Sequence, residues 1–163
     1  EPIIKADYVI GHNVDFDWKV LGSPNVKRIC TKAIATKVVP DIDSKSQSAL
    51  MYYFYGGARN MIKNAHNALC DVINCRKLLM CLLKKAEKDG LGVFLTIEDL
   101  WEFSEECRVP ETMTFGKHKD KTYLEVAKTD PGYFTWWNTK SDKKPDEYQT
   151  IAINKAMARR FDK

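Results

Sequence analysis

The sequence predicts an α/β region followed by a small, mostly helical C-terminal module. Three observations carry this. Two short apolar-rich runs, Ala6–Ile10 and Lys27–Thr31, stand either side of a helical stretch, the pattern of a strand–helix–strand unit with a parallel sheet. The elements expected after residue 31 are helices, the clearest of them, over 67–88, with apolar residues at three- and four-residue steps. The pattern breaks at Arg108-Val109-Pro110, and the segment beyond it differs in charge.

The elements follow in order. Ala6–Ile10 (ADYVI) is almost wholly apolar, so it is expected to be buried on both faces. Gly11-His12-Asn13 turns the chain, and Asn13 is a candidate N-cap for a helix over Val14–Leu21. Gly22-Ser23-Pro24 ends that helix, and Lys27–Thr31 is the second strand. Lys32–Val39 reads as a helix stopped by Pro40, and Gln47–Tyr55 as an aromatic-rich helix closed by Gly56-Gly57. Residues 67–88 give the clearest helix, with Ala68, Leu69, Val72, Leu79, Leu82, Leu83 and Ala86 on one stripe. Lys84, Lys85 and Lys88 lie at its C-terminal end, where the helix dipole favours cations. Thr96 caps a further helix over Ile97–Cys107. In the tail, helices are expected over Tyr123–Lys128, from Asp130-Pro131 through Trp137, and from Asp146 to Arg160. The organisation is therefore read as 1–90, a connecting helix and linker over 91–112, and a module over 113–163.

Composition narrows the function. The 163-residue chain has 44% apolar and 29% charged residues, which excludes a disordered or collagen-like protein. No run is long and apolar enough to span a membrane, so no membrane partner is expected. The five cysteines form no Cys-x-x-Cys pair, which argues against a disulfide scaffold or zinc ribbon and for a cytoplasmic location. Residues 1–116 hold 15 basic and 15 acidic side chains, whereas 117–163 hold 11 and 7. The entire net charge of +4 thus lies in the tail, which suits a polyanionic partner or simply a solvated lysine-rich surface.

Two clusters combine His, Asn and Asp at helix starts. The first, His12-Asn13-Val14-Asp15-Phe16-Asp17, follows a strand, at the carboxyl end where open α/β sheets bind ligands. With Asn13 as N-cap, Asp17 lies one turn into the helix and can hold a hard cation. The second is His66-Asn67-Ala68-Leu69-Cys70-Asp71. A five-residue step sets side chains about 140° apart on a regular helix. If Asn67 is the N-cap, however, His66 and Asp71 take the N′ and N4 positions that a staple brings together. A histidine beside a carboxylate at a helix N-terminus suits a general base next to a metal ligand at a phosphate site. Each cluster alone reads more readily as a plain capped helix. The pair is more specific.

Taken together, the clusters resemble the second and third motifs of the DnaQ-like DEDDh exonucleases. His12-Asn13, Phe16-Asp17 and Leu21 match the second, and His66 with Asp71 the third. Arg28–Lys32, then Phe115-Gly116-Lys117-His118-Lys119, Asp130-Pro131-Gly132-Tyr133-Phe134 and Trp136, resemble the exodeoxyribonuclease X subgroup. The resemblance runs from about Tyr8 to the C-terminus. It implies an RNase H-like fold and a 3′→5′ exodeoxyribonuclease, with DNA, single-stranded 3′ ends above all, as substrate and DNA repair as setting. It implies two Mg²⁺ or Mn²⁺ ions in the intact active site, stabilising the attacking and leaving oxygens of an in-line displacement. Asp17 and Asp71 would be metal ligands and catalytic, His66 the general base, and Asn13 and Phe16 near the substrate strand.

One motif of the family, Asp-x-Glu on the first, central strand, has no counterpart in the sequence. Asp15 and Asp41-Ile42-Asp43 stand in the wrong order and context to replace it. The expectation is an N-terminally truncated domain with apolar faces left open, weak metal binding by this chain alone, and catalysis only in the intact protein. A non-catalytic nucleic-acid-binding remnant is one alternative. The other is a tail that binds a protein partner. For the tail, Tyr133, Phe134, Trp136 and Trp137 are either base-stacking groups or, with Phe115, a small core, and His118 is expected at the surface.

Overall fold

The computed structural model describes residues 5–56 and 67–162. The chain divides into two compact units, with the boundary between Cys107 and Arg108. Most of the described chain is helical, and the strands form one two-stranded parallel sheet.

In the first unit, β1 (Tyr8–Gly11) pairs with β2 (Lys27–Cys30) in the register Tyr8↔Lys27 to Gly11↔Cys30. The crossover carries α1 (Val14–Val20), whose Val14 packs inward. α2 (Thr31–Val38) leaves β2 directly, and α3 (Gln47–Tyr55) follows. The Ser46 hydroxyl accepts from the Ala49 amide at the start of α3, and Gly56 ends it at φ 62°, a left-handed position that glycine adopts without a Cβ clash. α4 (Ala68–Lys88) is capped by Asn67, whose Oδ1 accepts from the amides of Leu69 and Cys70 at 3.1 and 3.3 Å. α5 (Ile97–Arg108) is opened by Thr96 and Asp99 bonding each other's backbone amides at 2.8 and 3.1 Å. Hydrogen bonds from the Thr96 amide and hydroxyl, with the Leu95 amide, hold the Asp99 carboxyl below its usual range.

The core of this unit is built on Ile29, Ile34, Leu50, Leu78 and Leu82, all fully buried. Burying each such side chain stabilises the fold by about 1.5–3 kcal/mol. Leu100 and Phe103 of α5 join that cluster. Two expectations are corrected. β1 is not buried on both faces, since Ile10 is 41% exposed. The stripe of α4 also divides, with Leu78, Leu79, Leu82 and Ala86 buried while Leu69 and Val72 are exposed. Both follow from one cause. A sheet of two strands covers little, and among the described residues nothing packs over those faces.

The second unit has its own core, made of Met113, Tyr123, Val126, Phe134, Trp137, Ala152 and Ile153. Its loop between Met113 and Lys121 is closed by Met113 N–H donating to the Lys121 carbonyl and Asp120 N–H to the Met113 carbonyl, each at 2.8 Å. α6 (Tyr123–Thr129) and α8 (Glu147–Arg159) both start with reciprocal capping boxes, Thr122 with Glu125 and Asp146 with Gln149. α7 (Pro131–Thr139) starts with proline at its first turn. Trp137 is buried edge-on to Phe115, and its Nε1–H donates to the Lys143 carbonyl at 2.8 Å.

His118 is not the surface residue expected from sequence. It is 4% exposed, lies edge-on to Tyr133, and its Nε2 meets Asp130 Oδ2 at 3.0 Å. The partners that bury it lie 12 and 15 residues further along the chain. Its Nδ1 is buried and makes no hydrogen bond among the described residues.

Candidate active site

The carboxyl end of β1 and the start of α2 meet α4 around Thr31. This fully buried hydroxyl stands 2.9 Å from His12 Nδ1, 3.3 Å from the Gly11 carbonyl and 3.8 Å from Cys75 Sγ. The other imidazole nitrogen, Nε2, is 2.8 Å from the Lys45 carbonyl. A carbonyl only accepts, so Nε2 carries the proton and Nδ1 accepts from Thr31. Burial lowers the His12 pKa, the Lys45 carbonyl opposes this, and Lys32 lowers it further. His12 is therefore a neutral tether between the strand end and the 40–46 loop. Lys45 fixes its own loop, its ammonium donating to the carbonyls of Pro40 and Ile42.

Cys75 links this knot to the acidic candidates. Its thiol pKa is raised mainly by burial; the Thr31 hydrogen bond opposes this, and Cys30 and Asp17 raise it further. Asp71 is one turn before Cys75 on α4, on the same helix face. The Asp71 carbonyl accepts from Gln47 Nε2 of α3 at 2.7 Å, which ties this turn of α4 to its neighbour. Asp17 is exposed and Asp71 half-buried, so both carboxylates keep access to solvent. Neither Thr31 nor Cys75 was singled out from the sequence as part of a site. The available signal was that Thr31 ends the expected second strand and lies in the Arg28–Lys32 stretch that carries part of the family resemblance.

The remaining candidates are placed as follows. Asn13 occupies the N-cap position, but in the left-handed conformation (φ 65°) and with no capping bond from its side chain. The local pattern suggested a capping amide, whereas the tight turn out of β1 fixes the backbone and leaves the side chain exposed. Phe16 is 67% exposed and so is not a core residue. Asp15 pairs with Arg28 at 2.6 Å, and Arg28 lies 4.2 Å from the Trp18 ring, so that carboxylate has a structural partner. His66 lies outside the described residues. The Asn67 cap that its proposed role requires is present.

Asp17 and Asp71 offer oxygen donors of the kind that Mg²⁺ and Mn²⁺ prefer. They do not make a complete set. No cluster of three or more His, Cys, Asp or Glu suited to a metal occurs among the described residues. Nor, among those residues, is any helix long and apolar enough to cross a membrane.

Comparison with known proteins agrees with the motifs. Residues 113–138 match the exodeoxyribonuclease X-like C-terminal family. Over 131 residues the chain is 25% identical to exodeoxyribonuclease 10 of Escherichia coli strain K12, covering 80% of this chain and 56% of the relative. The same figures hold for exodeoxyribonuclease 10 of Escherichia coli O6:H1 strain CFT073. The chain is similar to an exodeoxyribonuclease. It spans little more than half the length of the curated relatives it matches. No solved structure matches it.

Proposed function

We propose that this chain is part of a metal-dependent 3′→5′ exonuclease that hydrolyses DNA from single-stranded 3′ ends, and that its first unit is the C-terminal part of an RNase H-like domain. The observation behind this reading is that carboxylates from two separate elements, Asp17 on α1 and Asp71 in the first turn of α4, both keep access to solvent. The sequence similarity to exodeoxyribonuclease 10 supports the same reaction class.

In this reading Asp17 and Asp71 are two of the ligands of a divalent ion, Mg²⁺ or Mn²⁺. The ion, when bound, supplies charge stabilisation at the phosphoryl oxygens. His66 takes a proton from the attacking water, a task that suits an imidazole with a pKa near 6.5 at neutral pH. Asn67 fixes the first turn of α4 and so the direction in which Asp71 projects. Asn13 and Phe16, both exposed beside Asp17, contact the substrate strand, Asn13 by hydrogen bonds and Phe16 by stacking on a base. His12, Thr31 and Lys45 are positioning residues that hold the strand end and loop around this constellation.

A second reading is favoured by one observation, that the sequence has no counterpart of the family's Asp-x-Glu motif. It makes the protein a non-catalytic binder of nucleic acid. Hydrolysis separates the two. The full-length gene product should shorten a 5′-labelled oligonucleotide one nucleotide at a time from its 3′ end in Mg²⁺. Asp71→Asn should abolish the ladder, and His66→Ala should slow it by about 10²- to 10⁴-fold. Unchanged turnover in Asp71→Asn would remove this residue from the active site. Absence of any ladder from the wild type would leave the binding role.

A further inference from the structure

The second unit sorts its aromatic residues into two groups. Phe134 and Trp137 are 2% and 1% exposed and belong to the core. Trp136, between them in the same helix, is 47% exposed. Its ring lies 5.5 Å from Tyr133, and Tyr133 is in turn held by its contacts with His118, Trp137 and the Gly116 backbone. Gly116 has φ +74°, and any Cβ there would come within 2.8 Å of the Tyr133 hydroxyl. The loop therefore closes directly on the tyrosine. An exposed indole backed by a fixed tyrosine is an apolar surface with little rotamer freedom to lose on binding.

Lysines flank both ends of the helix that carries Trp136, in a segment that also holds Asp130 and the exposed Asp142. Lys117, next to Gly116, is 71% exposed, and its ammonium reaches Asp130 at the N-terminal end of α7. Lys140 is the C-cap of the same helix, its amide bonded to the Trp136 carbonyl. Lys143 and Lys144 follow in the next loop, both exposed. Residues 108–163 contain 12 basic and 8 acidic side chains, and so carry all of the net charge of +4.

We infer that the Trp136 face of the second unit is a binding platform for single-stranded nucleic acid, the indole stacking on a base while Lys117 and Lys140, at the two ends of α7, take the flanking phosphates. An aromatic ring set among cations is the combination that a strand of unpaired bases recognises without regard to sequence. A duplex offers the same phosphates but keeps its bases stacked on each other. The platform deepens the exonuclease reading by adding a second hold on the single strand. It does not depend on hydrolysis.

The test is fluorescence anisotropy of the full chain with a labelled 20-nucleotide oligo-dT, in EDTA so that no cleavage intervenes. Trp136→Ala should weaken binding by about 5- to 100-fold, and Trp136→Phe should keep most of the affinity. Lys117→Ala with Lys140→Ala should lower the slope of log affinity against log salt by about 1.4, or about 0.7 per phosphate contact on a single strand, while Trp136→Ala leaves that slope unchanged. A matched duplex should bind more weakly than the single strand and be indifferent to Trp136→Ala. Equal binding of oligo-dT by Trp136→Ala and wild type, with unchanged circular dichroism, would overturn the platform. So would failure of the wild type to bind at 50 mM salt. Either failure leaves the exonuclease reading standing, because that reading is judged by the 3′-end ladder alone.

Discussion

Replacing Thr31 by valine isolates the contribution of the buried hydroxyl that joins β1, α2 and α4. The side chain is fully buried, so valine keeps its shape and fills its space. What is lost is the hydroxyl 2.9 Å from His12 Nδ1 and 3.8 Å from Cys75 Sγ. The imidazole nitrogen is then left without its donor in a partly buried site, and a buried unsatisfied group costs about 1–3 kcal/mol. The thiol is a weak donor and adds little. Thr31→Val should therefore lower the unfolding free energy by about 1–3 kcal/mol. Thr31→Ser keeps the hydroxyl and loses only a methyl, worth about 1 kcal/mol. Urea titration of both variants, followed by circular dichroism, gives the order directly. If the hydrogen-bonded knot matters, valine is the more damaging change. Serine being worse than valine, or valine matching wild type, would refute the argument and leave Thr31 as a packing residue only.

Two further predictions follow from local features. Burial lowers the His12 pKa below its unfolded value of about 6.5, so the unfolded chain binds the extra proton first. Stability contributed by neutral His12 is thus present above about pH 6.5 and falls as the pH drops toward the folded pKa, by at most about 1.4 kcal/mol per pH unit. A His12 NMR titration with a midpoint at or above 6.5 would contradict this. Gly116→Ala combines a left-handed backbone with a clash against the Tyr133 hydroxyl, so it should destabilise the second unit by about 1–2 kcal/mol or more in a thermal melt. An unchanged melting temperature would show that the loop and Tyr133 are not in close contact.

The features legible in the sequence were local. Asn67 capping α4 and Pro131 opening α7 are each decided within four residues, and each stands as the pattern indicated. Gln47–Tyr55 was bounded correctly because a serine cap and a glycine stop flank it. The misreadings involve partners far along the chain. His118 looked like one more polar residue in a lysine-rich turn, and only its meeting with Asp130 and Tyr133 buries it. Thr31 and Cys75 are 44 residues apart, and no spacing rule joins them. Asn13 was expected to cap because asparagine commonly does. The turn out of β1 instead places it at positive φ, which asparagine tolerates better than most residues. Leu69 and Val72 fit a core stripe by period, yet period says which residues share a face and not whether anything covers it.

The claim on which the functional account rests is that Asp17 and Asp71 face one divalent ion. The direct measurement is a Mn²⁺ titration of the ¹⁵N-labelled chain followed by NMR. Selective broadening of the Asp17 and Asp71 amides and their neighbours, with saturation only in the millimolar range, is the predicted result, because two carboxylates are an incomplete set. Broadening centred elsewhere, or none near these two residues at any concentration, would contradict it.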